Sequence, residues 1–478
     1  PLIESIIKNN PDNQIQIEKI LSLKILDPAM GSGHFLVGAV EYIAKRLCEI
    51  EFGDIHEQMY VERKRDVVRH CIYGVDFNPL SVDLARLSLW LETLSSEKPL
   101  SFLSSHLKCG NSLIGENIGS LFDKGTTLFT SEKGRSSFKK NLKKFLMFEA
   151  LEDDSSTTVK MKLEEYTKMQ SKGTVYYDLK FLLDCKVSEF FGIKVPNLGD
   201  YHAKIGENSL DFYTDDVFKK AKSLSELKRF FHWELEFPQV FYNENGTKRE
   251  NPNFDCVIGN PPYIDSETMT KNDVGLRNYC TEHFDSAVGN WDMFCIFIEK
   301  GLHLCGKNGI YCNIIPNKLL SANYADGICN VIRNYSVVKI SDYSSVNVFG
   351  VGVYPIIISI SKQEPKLNSK MSVEIMKDGA ELPIIFEEET KKLSQLYDLD
   401  NILWASILDS TDSVNVSDHI FSKSKKLGEI PEITIKGAAS VSEAYEIKKI
   451  IQELKPDIMN FKKFINTGTI DPYTSLWG

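Results

Sequence analysis

Apolar and polar positions along this chain fall into short runs that alternate between two periods. Residues 22–26, 71–75, 107–109 and 254–259 are apolar-rich and of strand length. Residues 34–49, after the first run, carry apolar positions at helical spacing. Leu80, Leu84, Leu87 and Leu91 do the same after the second, a stripe expected to face the core. Strands alternating with helices predict an α/β fold on a doubly wound parallel sheet. Further strands are expected at 309–315, 337–340 and 354–360. The last is nearly all β-branched, which suits a central or hairpin position.

Between residues 116 and 230 the pattern changes. Helical runs at 136–152, 159–170 and 215–231, with a polar break at 154–158, predict a helical insertion between the third and fourth strands. Residues 393–415 and 440–454 predict helices of a C-terminal linker. The expected organisation is therefore 1–116 and 231–362 as two halves of one α/β domain. Residues 117–230 form its insertion, and 363–478 a linker leading into a further module. A chain of 478 residues is long enough for two or three domains.

Composition narrows the function classes. A hydrophobic content of 42% with 11% aromatic residues belongs to a folded globular protein. No apolar stretch approaches the roughly 18–20 residues of a membrane span, so a cytoplasmic protein without a membrane partner is expected. The ten cysteines form no CxxC pair and no His/Cys ligand spacing, so buried reduced thiols are expected and no metal site. The net charge of −10 is unusual for a nucleic-acid-binding protein, but phosphate contact needs only a local positive face. Lys133, Arg135, Lys139, Lys140, Lys143 and Lys144 make one basic stretch. Lys423, Lys425, Lys426, Lys462 and Lys463 make a weaker one. Either run taken singly reads first as an ordinary solvated face.

The strand ends carry the candidate chemistry. After the first strand comes Asp27-Pro28-Ala29-Met30-Gly31-Ser32-Gly33, where the glycines allow close backbone approach and Asp27 suits an ammonium group. The second strand ends in Asp76, placed to take ribose hydroxyls. Phe77 can cover a purine or belong to the core, and Asn78-Pro79 reads as a helix cap. The third leads into Gly110-Asn111-Ser112-Leu113. There Asn111 can bond a purine amino group or close an Asx turn. The fourth runs into Asn260-Pro261-Pro262-Tyr263. Two prolines stop the ladder and stiffen the turn. Asn260 and the Pro261 carbonyl then offer uncharged acceptors beside the flat face of Tyr263, a set that suits a planar base bearing an amino group. In a doubly wound sheet all four turns lie on one edge and can converge on one cleft.

DPAMGSG, YGVDFNP, GNSLIG and NPPY, in that order, resemble the motifs of γ-class amino-methylating DNA methyltransferases. SLKILDPAMGSGHFLVGA, LSLWLETL, HWELEFPQVF and INTGTIDPY narrow the resemblance to adenine-specific enzymes of type IIG restriction–modification and related phage-defence methylases. The resemblance covers roughly residues 1–362. It implies a class I S-adenosylmethionine-dependent fold, methyl transfer to N6 of an adenine flipped from double-stranded DNA, and a restriction or specificity module in the same full-length chain. Residues 1–116 would be the cofactor half and 231–362 the target-base half. Asp27, Pro28, Ala29, Gly31 and Gly33 would hold the methionyl part of S-adenosylmethionine. Asp76 and Phe77 would take the ribose and adenine, with Asn111, Ser112 and Leu113 at the adenine. Asn260, Pro261, Pro262 and Tyr263 would hold the target base, with Phe349 on its other side.

The sequence also departs from that family. An upstream segment that closes over the cofactor is expected before Pro1. Asn111 stands where Asp is common, and Phe294 where Tyr is expected. INTGTIDPY resembles the opening of a target-recognition domain, of which the chain carries only the start. Pro11-Asp12 followed by Glu18-Lys19 lacks the spacing of a PD-(D/E)xK nuclease. Alternative readings are methylation of another amino group (cytosine N4, an RNA guanine or a protein glutamine) or a non-catalytic DNA-binding subunit.

Overall fold

The structure, a computed structural model, describes residues 1–408 except 56, 95–101, 122–131, 197, 199–204, 206–214, 350–353, 380–381 and 399–400, together with 470–471 and 474–475. The chain divides into two compact units, Pro1–Thr411 and Asp412–Gly478. In the second, Ile470–Asp471 and Thr474–Ser475 pair as a short antiparallel ladder within INTGTIDPY and the residues after it. The expected helix at 440–454 and the basic residues at 423–426 and 462–463 lie outside the described residues.

The first unit is built on nine strands: β1 (Ile25–Asp27), β2 (Ile72–Asp76), β3 (Leu107–Cys109), β4 (Phe254–Gly259), β5 (Cys305–Pro316), β6 (Ser336–Asp342), β7 (Pro355–Ser361), β8 (Lys370–Lys377) and β9 (Ile384–Lys392). Their order in one sheet is β3-β2-β1-β4-β5-β7-β6-β8-β9. β1 to β5 are mutually parallel, while β7 inserts antiparallel between β5 and β6. The Ile-rich run thus sits inside the sheet, as its β-branched composition predicts. The chain leaves β1 toward β2 and β3, then returns to β4 on the other side. The β1–β4 junction is therefore the switch point where such sheets open a crevice.

β1 is buried along its length and β2 nearly so, as expected of strands covered on both faces. One face packs on helix His34–Phe52 through Leu36, Val40, Ile43 and Leu47. The other packs Leu26, Val257 and Tyr311 against Phe294, Cys295, Ile298 and Leu302 of helix Met293–Leu304. Phe294, at the position where Tyr was expected, is a core residue set edge-on to Tyr324. Among the described residues no helix is long and apolar enough to cross a membrane. The cysteines are free thiols, seven of them buried, with Cys256 and Cys312 half-buried and Cys109 exposed.

Helices Glu132–Ala150, Ser156–Met169, Val175–Ser188 and Asp216–Lys228 lie between β3 and β4. Buried polar pairs tie them to the segments flanking β3 and β4. His232 Nε2 donates to Asp184 at 2.9 Å while its Nδ1 accepts the Glu116 N–H. His106, just before β3, meets Glu149 at 2.9 Å, and Glu236, paired with Lys108 of β3 at 3.0 Å, accepts the Tyr176 hydroxyl at 2.7 Å. Breaking a buried pair of this kind leaves an uncompensated charge, so these contacts fix the docking of the insertion.

Three expectations are corrected. The polar stretch at 154–158 is a helix start, because Ser155 Oγ accepts the Thr158 N–H as an N-cap. The leucine stripe faces outward: in helix Pro79–Glu92 the buried face is Val82, Ala85 and Leu89, whereas Leu80, Leu84, Leu87 and Leu91 are 64%, 44%, 44% and 57% exposed. Finally, residues beyond 362 do not begin a helical linker. β8 and β9 extend the same sheet, and only Leu393–Tyr397 and the 3₁₀ turn Asn401–Leu408 follow within the described part of 393–415.

Candidate active site

Asp27 closes β1 and is buried. Its Oδ1 accepts the Ala29 N–H at 3.0 Å, and its Oδ2 is buried with no partner among the described residues. Burial pushes its pKa up from 3.8 to about 7; the Ala29 N–H opposes this and nearby Asp76 reinforces it. The turn that follows needs glycine twice. Gly31 and Gly33 have φ of +54° and +84°, and a Cβ on Gly33 would lie 3.1 Å from the Ala85 Cβ. Gly31 N–H donates to Asp76 Oδ2 at 2.9 Å, and Asn78 N–H donates to Asp76 Oδ1 at 2.8 Å. One carboxylate therefore bridges the turns after β1 and β2. Asn78 caps its helix and Pro79 takes the first position, as the sequence predicts.

The turn after β3 joins the same edge. Ser112 Oγ donates to the Pro28 carbonyl at 2.5 Å, and Leu113 is buried. Asn111 closes an Asx turn, its Oδ1 accepting the Leu113 N–H at 3.1 Å. That bond engages the side-chain oxygen, so of the two expected readings the Asx turn is the one formed here. Phe77 is 51% exposed rather than core.

β4 ends directly over Asp27. Gly259 has a φ of +153°, and a Cβ there would sit 2.6 Å from Asp27 Oδ1. The backbone preceding Asn260 is thus packed onto the carboxylate. Asn260 Oδ1 is buried and accepts no hydrogen bond among the described residues. Pro261 is buried and Pro262 exposed. Tyr263 is half-buried, with its hydroxyl donating to the Ile314 carbonyl of β5 at 3.1 Å. Phe349 stands at 80° to the Tyr263 ring with centroids 6.4 Å apart. That perpendicular setting allows a flat group to stack on one ring and meet the other edge-on.

Sequence reasoning missed three polar groups here. Arg229 lies across Phe77. Asn313 is buried on β5 in register with Gly259, with its Oδ1 unpartnered. Asp292 caps helix Met293–Leu304, and burial raises its carboxyl to about pKa 6. Asn313 lies in an expected strand and Arg229 in an expected helical run, but no motif marks any of the three, and only the fold brings them to this edge. An apolar cavity of about 50 Å³ lies where the insertion packs on Lys108 of β3 and on Leu235, Glu236 and Pro238.

A sheet that reverses at β1/β4, with carboxylates ending β1 and β2 and an Asn-Pro-Pro-Tyr turn after β4, defines the class I methyltransferase fold. The chain belongs to the Eco57I restriction-modification methylase family, whose profile matches residues 70–349, more than half of its length. The profile of the MmeI DNA-methyltransferase domain matches residues 4–108. Over 411 residues the chain is 26% identical to a putative type II restriction enzyme and methyltransferase of Methanocaldococcus jannaschii, covering 79% of this chain and 32% of that protein. It is 32% identical over 120 residues to the adenine-specific methyltransferase PglX of Streptomyces coelicolor (23% of this chain, 9% of that one). The type II restriction enzyme and methyltransferase RM.Eco57I of Escherichia coli is 24% identical over 185 residues, 38% of this chain and 18% of that protein. The chain thus spans about a third or less of the length of the curated relatives it matches. Membership of a methylase family implies a methyl-donor cofactor.

Proposed function

We propose that this chain transfers a methyl group from S-adenosylmethionine to N6 of an adenine flipped out of double-stranded DNA. It would do so within a restriction–modification or phage-defence enzyme that carries a restriction or specificity module elsewhere in its full length. The observation that carries this reading is the pair of buried, unpartnered acceptors, Asp27 Oδ2 and Asn260 Oδ1, on two turns packed together through Gly259. Buried acceptors are costly unless a donor arrives. Asp27 suits the ammonium of the methionyl tail and Asn260 suits the N–H of an exocyclic amine. S-adenosylmethionine, when bound, supplies the sulfonium methyl.

The residues of the chain do the rest by positioning. Gly31, with open space where a Cβ would stand, leaves the turn open to the donor, Gly33 lets the turn pack on Ala85, and Asp76 and Asn111 face the donor's ribose and adenine. An adenine amine is poorly nucleophilic because its lone pair is delocalised into the ring. Donating one N–H to Asn260 Oδ1 and one to the Pro261 carbonyl favours a tetrahedral nitrogen whose lone pair is free. The site then works through orientation and fixed dipoles. Flipping the base costs on the order of a few kcal/mol, partly offset by stacking on Tyr263 at roughly 1–3 kcal/mol. Lys139, Lys140 and Lys143, exposed along helix Glu132–Ala150, supply a basic face for phosphates, while Lys144 is engaged by Glu165 at 2.5 Å.

The test is mass spectrometry of DNA nucleosides from cells expressing the full-length gene with or without Asn260→Ala. N6-methyladenine is expected from the unaltered gene and its loss from the variant, with cofactor affinity retained. N4-methylcytosine as the product, or methylation unchanged in the variant, would refute the assignment.

A further inference from the structure

Arg229 is the first residue after helix Asp216–Lys228, the last helix of the insertion. It holds a left-handed conformation (φ 53°, ψ 54°) that is uncommon outside glycine. Its carbonyl accepts the Asn111 N–H at 2.7 Å, and the next residue, Phe230, bridges Asn111 in parallel fashion. Its guanidinium carbon lies 4.9 Å from the centre of the Phe77 ring. Its Nη1 donates to the Phe77 carbonyl and contacts Cys109 Sγ at 3.1 Å. A single side chain from the insertion therefore reaches over the turns after both β2 and β3. It covers one face of Phe77, an aromatic ring that is otherwise half exposed.

We propose that Arg229 is the second wall of the cofactor's adenine seat, a planar cation that stacks on Phe77 in the free chain and on the purine when the donor is bound. This rests on the S-adenosylmethionine reading above. A spacing of 4.9 Å is direct contact. An intervening aromatic ring needs about 7 Å, twice the contact distance of carbon atoms. The guanidinium must withdraw by roughly 2 Å, which its flexible stem allows while the backbone stays anchored on Asn111. The exchange replaces one cation–π contact with two stacking contacts, Phe77 on the purine and the purine on the guanidinium. It also makes the insertion part of the cofactor site, because the backbone of Arg229 ends the helix that crosses into it.

The test is calorimetric titration of the whole chain with S-adenosylmethionine, alongside Arg229→Lys, Arg229→Ala, Phe77→Ala and the Phe77→Ala/Arg229→Ala double variant. Hypochromism of the adenine ultraviolet band on binding is read in parallel. The Ala change is expected to weaken binding about tenfold. The Lys change, which keeps charge and a donor but has no plane to stack, should weaken it nearly as much. Both should show reduced hypochromism, and the double variant should lose more than the product of the single losses, because each single variant also removes the free-state Phe77–Arg229 contact that binding must break. Wild-type affinity and hypochromism in Arg229→Lys would overturn this proposal alone, leaving Arg229 as a tie between loops. Failure of the unaltered chain to bind the donor at all would overturn the parent reading and this proposal with it.

Discussion

Replacing Asp27 by Asn separates what this carboxylate does for the ligand from what it does to the fold. The group is buried, and burial lifts its pKa from 3.8 to about 7. In the unfolded chain it titrates near 3.9. The folded state therefore holds the proton more tightly than the unfolded one. The stability tied to this proton is fully present below about pH 4 and is lost as pH rises through about 7. That interval corresponds to about 4 kcal/mol. An Asn carries no charge to desolvate, but its own N–H groups inherit the missing partner, which removes about 1–3 kcal/mol of the gain. Urea denaturation at pH 8.5 is thus expected to show Asp27→Asn as more stable by on the order of 2 kcal/mol, an advantage that disappears near pH 4. Titration with S-adenosylmethionine should show the opposite. The variant should lose at least tenfold in affinity, because an amide N–H faces the ammonium. The wild-type affinity should fall about tenfold per pH unit below 7, as a proton competes for Asp27. A variant that is less stable than wild type at pH 8.5, or that binds the donor equally well, would refute the account of Asp27 as an ion held in wait for an amine.

Two further substitutions probe the other half of the cleft. Gly259→Ala would push a Cβ to 2.6 Å from Asp27 Oδ1 at a φ of +153°; a loss on the order of 1–3 kcal/mol in chemical denaturation, with weakened donor binding, is expected, and an unchanged affinity would mean that the two turns are not coupled. Tyr263→Ala removes the stacking face and should raise the KM for DNA by roughly 10–100-fold. Tyr263→Phe loses only the hydroxyl bond to Ile314, worth about 1 kcal/mol, so steady-state kinetics in which Phe is as damaging as Ala would argue against stacking.

The sheet was largely legible because its strands are short, apolar and punctuated. β1 to β7 all lie where such runs occur, and the motif turns sit at the carboxyl ends of β1 to β4. Periodicity is a weaker guide to direction. The helix Pro79–Glu92 has two apolar faces, and spacing alone favoured the four leucines. The fold instead buries the smaller Val82 and Ala85 with Leu89, because Gly33 and Ala85 approach to contact distance and leave no space for a leucine there. β9 was missed for a related reason. β9 reads Ile-Ile-Phe-Glu-Glu-Glu-Thr-Lys-Lys, an edge strand with exposed apolar residues and consecutive charges in place of alternation. Pairing with β8, not pattern, makes it a strand.

At the site itself, residue type and order were legible, but the electrostatic state was not. Nothing in DPAMGSG says that one oxygen of Asp27 will be satisfied and the other stranded, or that Asn111 will spend its oxygen on Leu113. Those outcomes depend on Gly259 bringing β4's turn onto β1's, a contact between positions 232 residues apart in sequence. The consequence is chemical. Asp27 Oδ2 and Asn260 Oδ1 both lack a donor, and each is held by a turn that cannot relax toward water, one locked by Ala29 and Gly259, the other by two prolines. Each unmade bond costs stability in the free chain and returns it when an N–H arrives. On the function proposed above, two acceptors on adjoining turns would take a pair of nitrogen donors, one cationic and one neutral, which is the pairing that an amino-acid-tailed methyl donor and an exocyclic amine present together.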